Sequence, residues 1–386
     1  MKHGSFCSHF TSLLLIFGIL AGAGAFILSP KEEFSEQENR VLEPVPKFSA
    51  DSIQDGSFMK SAENYIGDHF AFRADFVSLN TAYRLLLGQR DFAADYPADP
   101  PEGGIYYGKN GHIYEVLLPD KRGIFRRNAA ALGSFSRLAG IPLLILPVPS
   151  GSQEQSENLP LFAPSHDQQE ELTTLKAEAG PGTEILDIFN LLSLKETGKD
   201  YYFKTDHHWN TQGAYVGYRS LVKEFHLTAA LPSDFEYRKA PFPFYGALYS
   251  KAIFSFQKPD DFIYPVPKNA ARLTQQIGRK TEEGIYREDY LNKKDKYSAY
   301  LGGNPAVTVV RNPSAPAGKL LLLKDSFANS MIPYLCQNFS EIHLIDLRYY
   351  NQDIYQYIKQ NGIKNAAAVY SIKQLCDISI ANKLEK

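Results

Sequence analysis

The chain has 386 residues, 44% of them hydrophobic and 22% charged, so it is long and apolar enough to bury a large core in one or two domains. Its net charge of −2 provides no basic surface for a phosphate backbone, and we expect no nucleic-acid partner. Three cysteines, Cys7, Cys336 and Cys376, fit no zinc-ligand spacing. Buried free thiols at Cys336 and Cys376 are favoured over a disulfide between them.

The amino terminus predicts a membrane or export segment. Residues 10–30 contain no charged side chain, and Lys31-Glu32-Glu33 follows. As a helix this stretch would be about 31 Å long, near the thickness of a bilayer core. Small residues at 21–25 also fit signal-peptide cleavage. We predict a signal anchor over residues 1–30, with a cleaved signal peptide as the alternative. The protein is then a single-pass protein of the cell membrane with its catalytic domain extracytoplasmic, or a secreted one if the signal is cleaved.

A folded domain is predicted over residues 57–386, preceded by an acidic, proline-bearing stalk over residues 31–56. Apolar periodicity and turn signals predict its first elements. In chain order these are two helices in 58–87, a hairpin around Asn110-Gly111, a helix at 127–138, a strand at 141–146, a helix at 168–179, a strand at 184–188 and a helix at 211–225. His112 is expected to be an ordinary strand residue.

The second half interrupts this alternation and then resumes it. Residues 231–300 are rich in prolines, aromatic residues and charges, which predicts a β-rich insertion. Strands at 320–323, 342–345 and 366–370 then alternate with helices at 326–337 and 354–360. Strands alternating with helices predict an α/β fold, a three-layer sandwich with a parallel sheet.

The segment Thr205-Asp206-His207-His208-Trp209-Asn210 concentrates groups that carry acid–base chemistry. If it is extended, Asp206 and His208 share a face and His207 points to the other. A carboxylate beside a histidine fixes the ring tautomer and stabilises the imidazolium. Metal binding by the three groups is the alternative, but three adjacent positions strain one coordination sphere, and we predict no metal.

Ser326 supplies a nucleophile for this base. It follows the apolar strand at 320–323 and begins a predicted helix, which exposes its hydroxyl near free backbone N–H groups. The plain alternative is that Ser326 only caps the helix.

The two segments together resemble the DHHW proteins, a family that in turn resembles the AlgX/AlgJ-like polysaccharide O-acetyltransferases of SGNH-hydrolase fold. The runs that carry the resemblance are YYFKTDHHWNTQGA at 201–214 and KDSFA at 324–328, with SEQENR at 35–40 near the start. Asp346, Arg348 and Tyr349 also follow the DHHW pattern. The resemblance extends from about Ser35 to the carboxyl terminus.

The resemblance implies an SGNH-like fold with Asp206 as orienting acid, His208 as base and Ser326 as nucleophile. It further implies an O-acetyltransferase that moves an acetyl group through a serine acyl-enzyme to an exported or cell-surface polysaccharide. The resemblance also implies that no cofactor is needed and that the acetyl donor is a membrane-bound O-acyltransferase partner. An acetyl-esterase, or a non-catalytic polysaccharide-binding scaffold, is the alternative.

Four further residues are weaker candidates for the site. Asn304, beside two glycines, is a candidate oxyanion donor. Arg348 and Tyr349, which end a predicted strand, are candidates for binding substrate, although an ion pair between Asp346 and Arg348 competes with that role. His207 is expected to be a packed or supporting residue next to the base.

Overall fold

The computed structural model describes residues 2–92, 103–269 and 272–385. The chain divides into two units, Met1–Gln89 with Ser250–Phe256, and Arg90–Tyr249 with Gln257–Lys386. The boundary predicted at residue 57 falls inside the first unit. The division into anchor, stalk and catalytic domain therefore stays a prediction.

The first unit is mostly helical. Its helices are Lys2–Leu28, Ala50–Gln54, Ser57–Asp68 and Arg73–Leu86, and a two-stranded antiparallel sheet joins Phe34–Ser35 to Arg40–Val41. The two helices predicted in 58–87 are thus present. The stretch His9–Leu28, with a mean hydropathy of 2.3, is long and apolar enough to cross a membrane, a test that a signal sequence also passes.

The second unit is built on an eight-stranded central sheet. We number its strands β1 (Leu143–Val148), β2 (Thr183–Ile185), β3 (Thr274–Ile277), β4 (Lys280–Glu283), β5 (Val307–Arg311), β6 (Ala317–Lys324), β7 (Phe339–Ile345) and β8 (Asn365–Ser371). Their order across the sheet is β4-β3-β5-β7-β6-β8-β1-β2. The five strands from β7 to β2 are parallel, and β5, β3 and β4 add to one edge antiparallel.

Alternate side chains of β6 enter two different hydrophobic cores. Leu320 and Leu322 pack on one face, which the helix Thr211–Glu224 covers. Leu321 and Leu323 pack on the other, under the helices Ile124–Ala139 and Ile354–Asn361. A strand buried on both faces explains why the apolar run is continuous rather than alternating. The predicted α/β three-layer sandwich is confirmed, with a mixed edge that periodicity alone did not predict.

The remaining elements connect or flank the sheet. A three-stranded sheet joins Asp91–Phe92, Ile105–Tyr107 and Ile113–Glu115, and an antiparallel pair joins Phe235–Lys239 to Ile263–Pro267. The other helices are Gly151–Glu154, Gln169–Glu178, Phe189–Leu192, Leu194–Thr197, Ala247–Ser250, Ile332–Leu335, Ile372–Asp377 and Ala381–Leu384. Short 3₁₀ helices lie at Lys109–Gly111, Ser156–Asn158, Pro232–Asp234, Glu288–Asn292, Tyr297–Ala299 and Ser326–Met331.

Several elements differ from their predictions for identifiable reasons. The helix predicted at 326–337 is instead the 3₁₀ helix Ser326–Met331 followed by Ile332–Leu335, because Pro333 has no N–H to continue a single helix. The insertion contains β-strands as predicted, but its hairpin of β3 and β4 extends the central sheet. Cys336 and Cys376 are free thiols, and only Cys336 is fully buried.

Candidate active site

Asp206, His208 and Ser326 form one chain of hydrogen bonds. His208 Nδ1 lies 2.6 Å from Asp206 Oδ1, and His208 Nε2 lies 2.8 Å from Ser326 Oγ. Since an ionised carboxylate only accepts hydrogen bonds, Nδ1 carries the proton and Nε2 is free to accept the serine hydroxyl. The structure brings together the three residues predicted as acid, base and nucleophile, although 118 residues separate His208 from Ser326 along the chain.

Asp206 is buried and held by the backbone around it. Its Oδ1 also accepts the His208 amide at 3.0 Å, and its Oδ2 accepts the Ala247 amide at 2.8 Å. Burial by itself raises the pKa of Asp206, but the charges of His207 and His208 and the hydrogen bonds from His208 and the Ala247 amide outweigh it. The pKa of this carboxyl is therefore held well below its usual range. Asp206 stays ionised and keeps His208 in the base tautomer.

Close approach to Asp206 depends on Gly246. A Cβ built on Gly246 would lie 2.3 Å from Asp206 Cβ and 2.4 Å from its Oδ2. Any larger residue would push the Ala247 amide away from the carboxylate. The insertion at 231–300 thus supplies part of the support for the acid, which sequence reasoning missed.

The ring of His208 is packed between two other rings. Tyr297 stacks on it at a centroid distance of 3.7 Å and an interplanar angle of 9°, and the His207 ring lies 3.9 Å away. Burial, followed by the charge of His207, lowers the pKa of His208 to about 4, against the opposing effect of Asp206. The imidazole is consequently neutral near pH 7 and able to accept a proton.

Ser326 lies at the carboxyl end of β6, where open α/β sheets bind ligands. The residue that caps the following 3₁₀ helix is Asp325, which accepts the Phe327 amide at 2.9 Å and the Ser371 amide at 2.7 Å. The alternative role of Ser326 as a helix cap is therefore filled by its neighbour. Ser326 is partly exposed, whereas Asp206 and His208 are buried.

Trp209 joins the histidine segment to the serine segment. Its buried indole Nε1 donates to Phe327 O at 3.0 Å and to Ser330 Oγ at 2.9 Å. Tyr297 also donates to Ser330 Oγ, at 3.1 Å. Because both aromatic residues hold the turn after Ser326, they fix the distance between base and nucleophile.

Asn304 lies in a polar cluster next to the nucleophile strand. Its Oδ1 accepts hydrogen bonds from Lys324 Nζ at 2.8 Å and from Asn329 Nδ2 at 3.2 Å. Lys324 also donates to Asn329 Oδ1 at 2.8 Å. Burial lowers the pKa of Lys324 to about 8, although Asp346 and Asp325 oppose that shift. Lys324 was not singled out from the sequence as a site residue; a lysine directly before the Asp-Ser pair was the available signal.

Arg348 forms an ion pair with Asp346. It donates to Asp346 through Nε at 2.9 Å and Nη2 at 2.6 Å, and its Nη1 donates to Gln374 Oε1 at 3.0 Å. The ion pair between Asp346 and Arg348, which the sequence offered as the alternative to substrate binding, is therefore present in the structure. Tyr349 is exposed, with the Arg348 guanidinium 5.3 Å from its ring centroid. Substrate binding by either residue stays a prediction.

His207 does not point away from the base, as an extended segment would require. The segment is bent, and His207 Nδ1 lies 3.6 Å from Asp206 Oδ1. One ligand atom from each of Asp206, His207 and His208 lies within 4.8 Å of the others, so the three could approach one metal ion. The hydrogen bonds of His208 to Asp206 and Ser326 occupy both of its ring nitrogens, however, and a metal would have to displace one of them.

The fold and the hydrogen bonds describe an α/β protein with a carboxylate, an imidazole and a serine hydroxyl in one chain at the carboxyl end of a parallel strand. The model of the family described as "DHHW protein" matches residues 184–345, which contain all three triad residues. The predicted resemblance to DHHW proteins is thus confirmed.

Solved structures extend this comparison. A DHHW family protein from Eubacterium siraeum DSM 15702 matches with a TM-score of 0.63 at 20% identity, over 73% of this chain and 94% of that one. Bacillus cereus PatB1, solved with a sulfonyl adduct, matches with a TM-score of 0.60 at 23% identity, over 73% and 98%. The O-acetyltransferase domain of Pseudomonas putida AlgJ is also matched, with a TM-score of 0.46 at 14% identity over 71% and 93%. A search of curated proteins found no significant match.

Proposed function

We propose that this chain is a serine-dependent O-acetyltransferase that works outside the cytoplasm on a cell-surface or exported polysaccharide. The observation that carries the proposal is the hydrogen-bond chain from Asp206 through His208 to Ser326. A carboxylate, a neutral imidazole and a partly exposed hydroxyl in this order are the parts of an activated serine nucleophile.

The reaction proceeds by double displacement. Ser326 Oγ attacks the carbonyl carbon of an acetyl ester while His208 Nε2 takes the hydroxyl proton. The tetrahedral intermediate collapses, His208 gives that proton to the leaving oxygen, and acetyl-Ser326 remains. A sugar hydroxyl then gives its proton to His208 and attacks the acetyl carbon, and Ser326 regains its proton as the acetylated sugar leaves. Asp206 stays ionised and stabilises the imidazolium in both steps.

Asn304 is the oxyanion donor in this scheme. Lys324 and Asn329 both donate to its Oδ1, which leaves its Nδ2 with no hydrogen-bond partner among the described residues. An amide oriented before substrate arrives can stabilise the developing negative charge without reorganising. Arg348 and Tyr349, at the same edge of the sheet, are proposed to contact the acyl or sugar oxygens.

The acetyl group must reach this domain from outside the cytoplasm. With Lys2 inside and His9–Leu28 retained as an anchor, the catalytic unit lies on the outer side of the membrane. Acyl-coenzyme A is cytoplasmic, so a membrane-bound O-acyltransferase is the proposed donor partner.

The sulfonyl adduct of the PatB1 structure adds a chemical argument for an activated nucleophile in this fold, because sulfonyl reagents react with activated nucleophiles.

The test is to trap the serine adduct. Purified protein is treated with a chromogenic acetyl ester, or separately with phenylmethylsulfonyl fluoride, and the adduct is located by intact-mass and peptide mass spectrometry. We expect both adducts on Ser326, neither in Ser326→Ala, and unchanged labelling in Ser298→Ala, a control serine that hydrogen-bonds to Asp295. If Ser326→Ala keeps its ester turnover, the nucleophile is assigned wrongly.

Hydrolysis is the alternative outcome of the same geometry, because water can take the place of the sugar hydroxyl. Acetylated sugar and free acetate are measured together, using candidate oligosaccharides as acceptors. Acetate as the dominant product with every glycan, together with deacetylation of acetylated polymer, would make the protein an acetyl-esterase. Glycan binding without either product would leave the polysaccharide-binding scaffold.

A further inference from the structure

The helix Arg73–Leu86 of the first unit presents its large apolar side chains to solvent. Phe72, Phe76, Leu79, Tyr83 and Leu86 are each between 56% and 84% exposed. The spacing of three, four and three residues places Phe76, Leu79, Tyr83 and Leu86 along one face of the helix, and Phe72 is the residue directly before its first turn. We call these five residues the exposed stripe.

The opposite face of the same helix is the buried one, and Leu85 is its only fully buried large apolar residue among the described residues. Its buried residues are Ser78, Thr81 and Leu85, and the Thr81 hydroxyl donates to Ala252 O at 2.5 Å. An amphipathic helix of a water-soluble domain turns its large apolar residues inward. This helix is oriented the other way round, and a contiguous apolar face of this kind marks an interaction site.

Contacts within the first unit connect the exposed stripe to the apolar amino-terminal helix. Phe70 packs over Gly22, where a Cβ would lie 3.7 Å from its ring, and the Phe70 and Phe76 ring centroids are 6.0 Å apart. Phe26 meets Tyr65 edge to face at 6.2 Å. Gly22 and Phe26 both lie inside the segment long enough to span a membrane, His9–Leu28.

The depth of these contacts follows from helix geometry. Gly22 is six residues from Leu28, so Phe70 contacts the apolar helix about 9 Å below its outer end. A helix that lies in the membrane plane buries its apolar face about 5–10 Å into the boundary between headgroups and acyl chains. If the amino-terminal helix spans the bilayer, the exposed stripe therefore starts at the depth of the outer leaflet.

We propose that the helix Arg73–Leu86 lies in the outer leaflet of the membrane, with the exposed stripe in contact with lipid acyl chains. The first unit is then held by two membrane contacts, one across the bilayer and one along its surface. The aromatic content of the stripe favours lipid over a second copy of the chain, because interfacial helices bury Phe at the lipid boundary and Tyr suits a place that is apolar on one side and wet on the other, whereas coiled-coil seams favour Leu, Ile and Val. Asp75 and Asn80, on the flanks of the stripe, would then face the headgroups.

This inference rests on the amino-terminal helix being retained as an anchor, which is part of the proposed function. Alkaline carbonate extraction and the mass of the mature protein test retention separately. If the helix is removed in maturation, flotation of the secreted protein with phosphatidylcholine and phosphatidylglycerol vesicles still decides the matter. Flotation that Leu79→Ser weakens supports lipid contact, and no flotation overturns it.

The direct test measures how deeply individual residues of this helix lie in the bilayer, using the full chain reconstituted into vesicles of the same lipids. With the native cysteines replaced, an environment-sensitive fluorophore is attached to Phe76→Cys, Leu79→Cys or Tyr83→Cys, and bromine-labelled lipid is used as the quencher. Matched controls on the flanks of the same helix are Asp75→Cys and Asn80→Cys, both exposed.

We expect strong quenching at the three stripe positions and weak quenching at the two flanks, a pattern with the period of a helix. Equal weak quenching at all five positions would overturn the proposal. So would a disulfide between copies at Leu79→Cys without quenching, since a second copy would then cover the face. Because the replaced side chains are exposed, the variants should unfold at the same temperature as the parent, which separates lost lipid contact from misfolding.

Discussion

Replacing Asp206 by asparagine isolates what the carboxylate does for the base. Asp206 accepts three hydrogen bonds on two oxygens, from His208 Nδ1 and the His208 amide on Oδ1 and from the Ala247 amide on Oδ2. Asparagine has only one such oxygen. Its NH₂ group must therefore face a donor on one side or the other.

Each orientation of the asparagine has a calculable cost. If its NH₂ faces Ala247, one buried hydrogen bond is lost, a penalty of about 1–3 kcal/mol in the free energy of unfolding. If its NH₂ faces His208, the ring adopts the other tautomer, and Nε2 then carries a proton towards Ser326 and cannot accept one. Loss of the base tautomer costs serine triads about 10⁴-fold in kcat, close to 5.5 kcal/mol.

The assay is acetyl-ester turnover from about pH 4 to about pH 9, combined with urea unfolding and the NMR signal of the His208 Nδ1 proton. A matched control is Asp260→Asn. Asp260 accepts the amides of Lys204 and Thr205 and contacts neither nitrogen of His208. We expect Asp260→Asn to lower stability while the pH profile keeps its shape. An Asp206→Asn enzyme within tenfold of the parent kcat would refute this account of the site.

Three further predictions follow from the described contacts. The folded pKa of His208, about 4, lies below its ordinary value of 6.5, so the unfolded state binds more protons between these two pH values. Stability should therefore fall as the pH drops through this window, as unfolding curves will show, whereas turnover in a pH profile should fall only near pH 4, where the folded imidazole takes up its proton. Gly246→Ala should cost about 1–3 kcal/mol of stability in a urea titration and also lower kcat, because its Cβ meets Asp206, whereas Gly318→Ala, with open space around it, should do neither. Lys324→Met should lower kcat by up to about 10²-fold with little change in KM, since it leaves the oxyanion donor unsupported; an unchanged kcat would show that this lysine is only structural.

Sequence periodicity predicted the fold best where a segment is buried on both faces. The run at 320–323 and the strands around it were recognisable because their apolar residues are continuous and short. The mixed edge was not, because β3 and β4 consist almost entirely of polar residues and carry no apolar pattern that would indicate a strand. Pairing partners are decided by tertiary contacts rather than by local pattern.

Some residues of the candidate site were predictable from the sequence and others were not. Asp206, His208 and Ser326 were predictable because each is a reactive side chain in a short, unusual motif. Tyr297 and Gly246 were not, since their roles come from a ring stacking across the insertion and from the absence of a side chain. His112, predicted to be an ordinary strand residue, is buried, and its Nε2 lies 3.0 Å from Asp200 Oδ2. Sequence pattern did not predict this contact because the two residues are far apart along the chain.

Trp209 is the only tryptophan of the protein, and its indole bonds to the turn that carries Ser326. Tryptophan fluorescence of this protein therefore reports on the contact between the histidine segment and the turn that carries Ser326. Acylation of the serine, or separation of the two segments during unfolding, should change the wavelength and intensity of that emission. The protein thus carries its own optical reporter, and stopped-flow fluorescence could follow the formation and loss of the acyl-enzyme without any added label.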